Sequence, residues 1–169
     1  MPVRPLICSK KPKNKMNEMI VGMADIIVAA SPKILVCKGV GSCIAVTMYD
    51  KTTKSGGLAH AMMPKQQNYS LESNTGKYVD SAIEHLLSRM QKNGVKKENI
   101  EVKIIGGADM FPTLSMDSGA KVGDKNISVA ESTLKRLGLN LAKKECGGTS
   151  GRTVAFDLAT GIVEVKIKI

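Results

Sequence analysis

The sequence predicts a single α/β domain that is rich in strands and has two principal helices, and three observations support this fold class. The chain has 169 residues, of which 43% are hydrophobic and 24% are charged, close to the averages for soluble globular proteins. Two segments repeat apolar residues at helical spacing, whereas most other apolar segments are short and bounded by turn residues. A chain of this length buries enough surface to fold without a metal or a disulfide.

The two helices are predicted from apolar residues that recur every three or four positions. The first is expected to begin near Asn74 or Thr75, both good N-cap residues, and to end at Gly94. Its apolar face consists of Val79, Ala82, Ile83, Leu86, Leu87 and Met90. The second is expected over residues 124–137 with Gly138 as its stop. Its apolar face consists of Ile127, Ala130, Leu134 and Leu137.

The strands are predicted from short segments rich in β-branched residues. Residues 43–49 and 58–63 form two such segments around a turn-like stretch at 50–57, a pattern that predicts a hairpin. Further strands are expected at residues 100–105, 139–145, 152–156 and 162–169, the last two forming a terminal hairpin. An apolar stretch at residues 19–30 precedes them and ends at Ser31–Pro32.

The net charge of +10 is concentrated at the N-terminus. Five basic residues and no acidic residue lie within the first 16 positions, namely Arg4, Lys10, Lys11, Lys13 and Lys15. We therefore expect residues 1–18 to be a flexible basic tail and residues 19–169 to be the folded domain. Trp is absent and only three Tyr and two Phe occur, which argues against the aromatic platforms of base-stacking domains. No nucleic-acid partner is expected.

Other protein classes are excluded by missing patterns. No apolar run approaches the roughly 18 residues of a membrane span, and no secretory signal is visible, so we expect a cytoplasmic protein that is not membrane-embedded. The four cysteines lack C-x-x-C spacing, which argues against a zinc site or a disulfide framework. The glycine motifs at 39–41 and 147–153 lack the spacing of nucleotide-binding loops. No cofactor and no metal is expected.

The two histidines differ in their surroundings. His85 lies within the first predicted helix beside Glu84, as is typical of a surface position. His60 lies in a predicted strand among small and apolar residues, where alternation places it on one face with Leu58 and Met62. This spacing alone is compatible both with a core histidine that has its hydrogen bonds satisfied and with a functional histidine.

Cys43 is the candidate nucleophile, because it follows Gly39, Gly41 and Ser42 at the start of a predicted strand. Glycines allow tight turns that bring main-chain N–H groups close to a substrate, as acyl transfer from an amide requires. The alternative is a small buried cysteine of purely structural importance. The predicted hairpin favours the functional interpretation, because adjacent strands bring Cys43 and His60 together as nucleophile and base.

Four motifs carry a resemblance to a known family. They are GVGSCIAV at residues 39–46, GLAHAMMP at 57–64, KIIGGADMF at 103–111 and GTSGRTVAFD at 148–157. In their order and spacing, including the 17 residues from Cys43 to His60, they resemble the chemoreceptor glutamine deamidase family CheD. The resemblance extends from about residue 19 to residue 166.

The resemblance implies an α/β three-layer sandwich and a Cys-His hydrolase that converts glutamines of methyl-accepting chemoreceptors to glutamates with release of ammonia. It implies that Cys43 attacks the side-chain amide and that His60 acts as the base. Gly41 and Ser42 then belong to the part of the loop that holds the oxyanion and the substrate. Some members of the family also bind the CheC phosphatase, which makes CheC a second expected partner.

One position departs from the family pattern. The family's third catalytic residue is a threonine six positions before the nucleophile, where this chain has Cys37. A thiol is a weaker hydrogen-bond partner for a histidine than a hydroxyl. Three outcomes stay open: partial support by Cys37, replacement by a nearby carbonyl, or a slow enzyme; a disulfide between Cys37 and Cys43 is also open. The alternative function is a weakly catalytic or non-catalytic adaptor that binds CheC and receptors. Lys125 replaces the family's arginine before Asn126, where we expect a structural or surface contact.

Overall fold

The computed structural model describes residues 15–65, 75–113 and 121–168, which form nine strands and two helices. The strands are β1 (Glu18–Ile20), β2 (Ile26–Ala30), β3 (Ile34–Val40), β4 (Ile44–Asp50), β5 (Ser55–Ala61), β6 (Glu101–Gly106), β7 (Asn140–Cys146), β8 (Arg152–Asp157) and β9 (Val163–Ile167). The helices are α1 (Val79–Lys92) and α2 (Val122–Leu137). Two short 3-10 turns are Lys15–Asn17 and Lys97–Asn99.

The strands form two mixed sheets. The four-stranded sheet has the order β1-β3-β8-β9, and the five-stranded sheet has the order β2-β5-β4-β6-β7. β1 runs parallel to β3 and β6 runs parallel to β7, whereas the other pairs are antiparallel. The hairpins predicted for β4 with β5 and for β8 with β9 are both confirmed.

Two apolar clusters define three layers. Ile44 and Met48 of β4 belong to a cluster that also contains the apolar faces of α1 and α2. Ala45, which lies between them, belongs to a second cluster with Leu35 of β3 and Phe156 of β8. Because side chains alternate across a strand, the five-stranded sheet is the middle layer between the helices and the four-stranded sheet. The strand-rich α/β sandwich is therefore confirmed.

The start of α1 differs from the prediction. Its N-cap residue is Tyr78, which makes no side-chain cap hydrogen bond, so the prediction of Thr75 as N-cap is wrong; Asn74 lies outside the described residues. The main-chain oxygen of Lys77 accepts a hydrogen bond from the Met63 N–H at 3.0 Å. The chain before the helix forms a turn at residues 75–77, and Tyr78 then pairs with Met63 in a parallel bridge, so this tertiary pairing outweighs the local capping preference.

Both helices end at the predicted glycines. Gly94 follows α1 with a φ of +87°, and Gly138 follows α2 with a φ of +67°. The Gly138 N–H donates to the main-chain oxygen of Lys135 at 3.1 Å, which satisfies one of the last carbonyls of the helix. Helix termination was readable from the sequence because glycine adopts this left-handed conformation without the cost of a β-carbon.

Residues 1–14 lie outside the described residues, so the flexible tail expected at 1–18 stays a prediction. The described chain begins with the turn Lys15–Asn17, and Glu18 already pairs with Ile34 of β3. The apolar stretch at 19–30 divides between the two sheets, with Ala24 at a φ of +64° in the connection.

The hairpin of β4 and β5 has a closed end and an open end. At the closed end, the Asp50 carboxylate accepts hydrogen bonds from the Thr52 N–H at 2.8 Å and the Thr53 hydroxyl at 3.1 Å, and residues 51–54 are exposed. At the open end, the last paired residues of the ladder are Ile44 and Ala61. Neither of the two described helices is long and apolar enough to cross a membrane.

Candidate active site

The open end of the β4–β5 hairpin carries both Cys43 and His60. His60 lies directly opposite Ala45, and Cys43 lies just before β4, two residues from Ala45. Cys43 and Ala45 both pack in the cluster between the two sheets, and His60 faces that side because its neighbours Ala59 and Ala61 face the helices. Cys43 and His60 are therefore diagonal neighbours on one face of the sheet.

His60 has no solvent-exposed surface. Within the described residues, neither of its ring nitrogens has a hydrogen-bond partner. Burial lowers the pKa of His60 below its ordinary value, and the Asp25 charge and the Val21 backbone oppose this effect. An imidazole with these properties stays neutral at pH 7 and has a nitrogen free to accept a proton.

Cys43 is partly buried, and burial raises the pKa of its thiol, with its own backbone N–H acting in the opposite direction. The resting thiol is therefore protonated at neutral pH. A protonated thiol beside a neutral imidazole is a pair in which the base removes the proton as the sulfur attacks a substrate.

Cys37 lies in β3, in the opposite sheet, and packs in the same cluster as Cys43. It is fully buried, and burial raises the pKa of its thiol to about 12, with the Cys43 charge as a second cause. Cys37, Cys43 and Cys146 are free thiols. Because both ring nitrogens of His60 lack a partner among the described residues, Cys37 does not orient that ring through a hydrogen bond.

The loop before Cys43 is packed against the segment that follows β6. The Gly107 N–H donates to the main-chain oxygen of Cys43 at 2.8 Å, and the Ala108 N–H donates to that of Gly41 at 2.9 Å. A β-carbon at Gly106 would lie 2.2 Å from the Cys43 oxygen. The glycines of the third sequence motif therefore allow the close approach that fixes the backbone of the candidate nucleophile.

Gly41 lies against the side chain of Met110. A β-carbon at this position would lie 3.1 Å from the side chain of Met110. Met110 is 41% exposed, and the next residue, Phe111, is 68% exposed. An apolar surface therefore adjoins the loop that leads to Cys43.

Asn126 is the residue of this site that sequence reasoning missed. It is fully buried in α2, and its Nδ2 donates to the main-chain oxygen of Ser42 at 2.7 Å and to that of Met62 at 3.1 Å. Its Oδ1 is buried without a partner in the described part of the chain. The available signal was a polar residue four positions before Ala130, on the otherwise apolar face of the helix.

The second histidine and the possibility of a metal site complete the candidate residues. His85 is exposed on α1, as expected. Across residues 15–65, 75–113 and 121–168, no group of three or more His, Cys, Asp or Glu side chains is placed to hold a metal ion.

Comparisons with known proteins identify the family. The family model described as "CheD chemotactic sensory transduction" matches residues 62–167, more than half of the chain. A protein of Pyrococcus horikoshii named "Probable chemoreceptor glutamine deamidase CheD" is 40% identical over 151 residues, which cover 89% of this chain and 93% of the relative. Proteins with the same name from Clostridium novyi and Methanococcus maripaludis are 38% and 42% identical over 150 and 146 residues, covering 89% and 86% of this chain and 93% and 92% of those relatives.

The family model covers more than half of the chain, including the segments that carry Gly106 and Asn126, and the relatives are about 40% identical over most of its length. The chain belongs to the CheD family.

Proposed function

We propose that this protein is a cysteine-dependent protein-glutamine deamidase of chemotaxis. Its substrates are glutamine side chains of methyl-accepting chemoreceptors, and its products are glutamate side chains and ammonia. The observation that carries the proposal is the placement of Cys43 and His60 on neighbouring strands, in a chain whose relatives are named chemoreceptor glutamine deamidases. We place the reaction in the cytoplasm and retain the CheC phosphatase as a proposed second partner.

In the first half of the proposed reaction, His60 takes the proton of the Cys43 thiol as the sulfur attacks the glutamine amide carbon. The carbonyl oxygen becomes an oxyanion, and main-chain N–H groups of the Gly41–Ser42–Cys43 loop stabilise it. His60 then gives its proton to the departing nitrogen, the C–N bond breaks, and ammonia leaves a thioester on Cys43.

In the second half, His60 takes a proton from water, and the resulting hydroxide adds to the thioester carbon. The C–S bond breaks, the proton returns to the sulfur, and glutamate is released. One water molecule is consumed and one ammonia is produced, so the enzyme is regenerated without a redox partner or cofactor.

The backbone contacts of the loop support the proposed oxyanion site. The carbonyl groups of Gly41 and Ser42 already accept hydrogen bonds from Ala108 and Asn126, so they face away from the position that an oxyanion needs. In the described residues the Cys43 N–H donates no hydrogen bond to another main-chain group. We assign this N–H as the principal donor to the oxyanion.

Cys37 stands at the position of the family's threonine and makes no hydrogen bond to His60. The Val21 backbone favours the protonated form of His60, which makes its carbonyl the proposed substitute that supports the ring during proton transfer. Because Cys37 does not support the ring, we expect a slow enzyme. The alternative function, an adaptor that binds CheC and receptors, is tested against the slow deamidase.

The proposal is tested by mass spectrometry of a cognate receptor cytoplasmic domain after incubation with the protein and with Cys43→Ala. We expect a gain of about one dalton at each of several defined glutamines with the native protein and none with the variant, because NH₂ is replaced by OH. Cys146→Ala is the matched control, since Cys146 is also a partly buried free thiol but packs on the helix side of the sheet. An unchanged receptor that still binds the protein would overturn the deamidase in favour of the adaptor.

A further inference from the structure

The ladder between β4 and β5 includes His60 but stops one residue short of Cys43. The last paired residues are Ile44 and Ala61, so Cys43 lies just beyond the paired region. Strand ends without ladder hydrogen bonds separate more easily than paired strands. The Gly107 N–H holds Cys43 against the β6 side of the sheet, and a separate contact to the chain after β5 fixes Cys43 relative to His60 as well.

Asn126 is placed to do this. Its Nδ2 donates to the oxygen of Ser42, immediately before Cys43, and to the oxygen of Met62, two residues after His60. These two oxygens lie on the two different strand ends, 84 and 64 residues away from Asn126 along the chain. One side chain of α2 thus bridges the open end of the hairpin from the helix layer.

The chemistry of the bridge selects a carboxamide. An NH₂ group offers two protons in one plane, and both are used by the two main-chain oxygens. An aspartate would place an acceptor against two acceptors, and an apolar side chain would leave both oxygens without this donor. The buried Oδ1 of Asn126 gains no partner among the described residues, which is costly for stability alone and points to selection for geometry.

We propose that Asn126 is a positioning residue of the deamidation site, which sets the separation of Cys43 and His60 and the orientation of the Ser42–Cys43 peptide. The effect of this positioning on catalysis rests on the proposed function. The N–H and C=O of a trans peptide point in opposite directions, so fixing the oxygen of Ser42 also fixes the direction of the Cys43 N–H. The same side chain therefore aligns the nucleophile, the base and the proposed oxyanion donor.

The experiment measures how strongly His60 accelerates the alkylation of Cys43 by iodoacetamide. The rate at Cys43 is determined by peptide mapping at several pH values between 6 and 9. The acceleration is the ratio of the Cys43 rates with His60 present and with His60→Gln. In the native protein we expect a ratio of about tenfold or more near neutral pH, since a neighbouring base assists the thiol. In Asn126→Ala we expect the ratio to approach one, because the base no longer lies at a fixed distance.

Thr133→Val is the matched control, because Thr133 is also a buried polar residue of α2 and the change preserves its shape. We expect the native ratio in this variant. Asn126→Ser keeps one donor in a smaller side chain, and we expect it to give an intermediate ratio. If Asn126→Ala does not unfold cooperatively, Asn126→Ser is used in its place. Deamidation assays should show kcat reduced about 10- to 100-fold in Asn126→Ala, with KM changed less than about twofold.

A native ratio in Asn126→Ala would overturn the positioning role while leaving the proposed deamidase intact. The same loss in Thr133→Val would overturn it as well, because the effect would then belong to the helix as a whole. A ratio of one in the native protein would instead overturn the Cys43–His60 pair itself, and with it both proposals.

Discussion

The main-chain oxygen of Cys43 lies so close to Gly106 that a β-carbon on Gly106 would stand 2.2 Å from it. The candidate nucleophile is therefore packed, backbone against backbone, on the last residue of β6. The following residue, Gly107, donates its N–H to the same oxygen at 2.8 Å. The position of Cys43 therefore depends on a strand that is some sixty residues away in sequence. Substitution of Gly106 tests how much this packing contributes to stability and activity.

Gly106→Ala is expected to lower the free energy of unfolding and to abolish deamidation. The residue has a φ of +121°, which costs about 1–3 kcal/mol for a residue with a side chain, and the clash with the Cys43 oxygen adds to this. Gly94→Ala is the control, since Gly94 has a φ of +87° and open space around it. Urea denaturation should show a distinctly larger loss for Gly106→Ala, and equal losses would contradict the packing described for Cys43.

Cys37→Thr is expected to raise the rate of deamidation. A hydroxyl is a better hydrogen-bond partner for His60 than the Cys37 thiol, and one such bond contributes about 1 kcal/mol, or about fivefold in rate. Cys37→Val has nearly the shape of the threonine without its hydroxyl and should give no increase. The two variants are compared by steady-state ammonia release, and equal rates would mean that residue 37 does not orient the histidine.

The pH dependence of deamidation follows from the lowered pKa of His60. His60 must be neutral to accept the Cys43 proton. The rate should therefore fall only when the pH drops below the pKa of His60 in the folded protein, which lies below the ordinary histidine value of about 6.5. We expect kcat/KM to stay nearly constant from pH 8 down to the ordinary histidine value. A rate that halves near pH 7 would mean that His60 is more exposed to solvent than in this structure.

The stability of the fold should depend on the same group. The unfolded chain binds a proton at His60 near pH 6.5, whereas the folded chain binds it only at lower pH, so the free energy of unfolding should fall as the pH drops below about 6.5. The slope contributed by one such group does not exceed about 1.4 kcal/mol per pH unit. Urea titrations between pH 5 and 7 should show this component lost in His60→Gln and kept in His85→Gln, because His85 is exposed.

The thiols should differ in reactivity. Cys43 is partly exposed, whereas Cys37 is fully buried with its pKa raised to about 12. Since the thiolate is the reactive form, iodoacetamide at pH 8 should modify Cys43 well before Cys37 in the native protein. Both should react at similar rates in urea. Early modification of Cys37 without denaturant would contradict its burial between the two sheets.

The sequence predicted the features that depend on neighbours in the chain. The β4–β5 hairpin was readable because both strands and their turn lie within about twenty residues, and this hairpin brings His60 beside Cys43. The ends of the helices at Gly94 and Gly138 were readable because glycine marks a left-handed residue wherever the chain is placed.

Features set by distant contacts were not readable. The N-cap of α1 was predicted at Asn74 or Thr75, but the turn at residues 75–77 and the bridge between Tyr78 and Met63 delay the helix until after Tyr78. Asn126 was not identified as a site residue, because nothing in its own helix reveals the carbonyl groups that it binds. Periodicity identifies which face of a helix is buried, but not which groups it meets there.

The closed end of the hairpin offers a practical consequence for this protein. The exposed turn at residues 51–54 is separated from Cys43 by the seven residues of β4, about 23 Å at the usual rise of a strand. Asp50 anchors the turn through Thr52 and Thr53, so its local shape does not rely on the site. A fluorescent label attached at Lys51 should therefore report receptor binding by anisotropy without disturbing the chemistry at the opposite end of the same two strands.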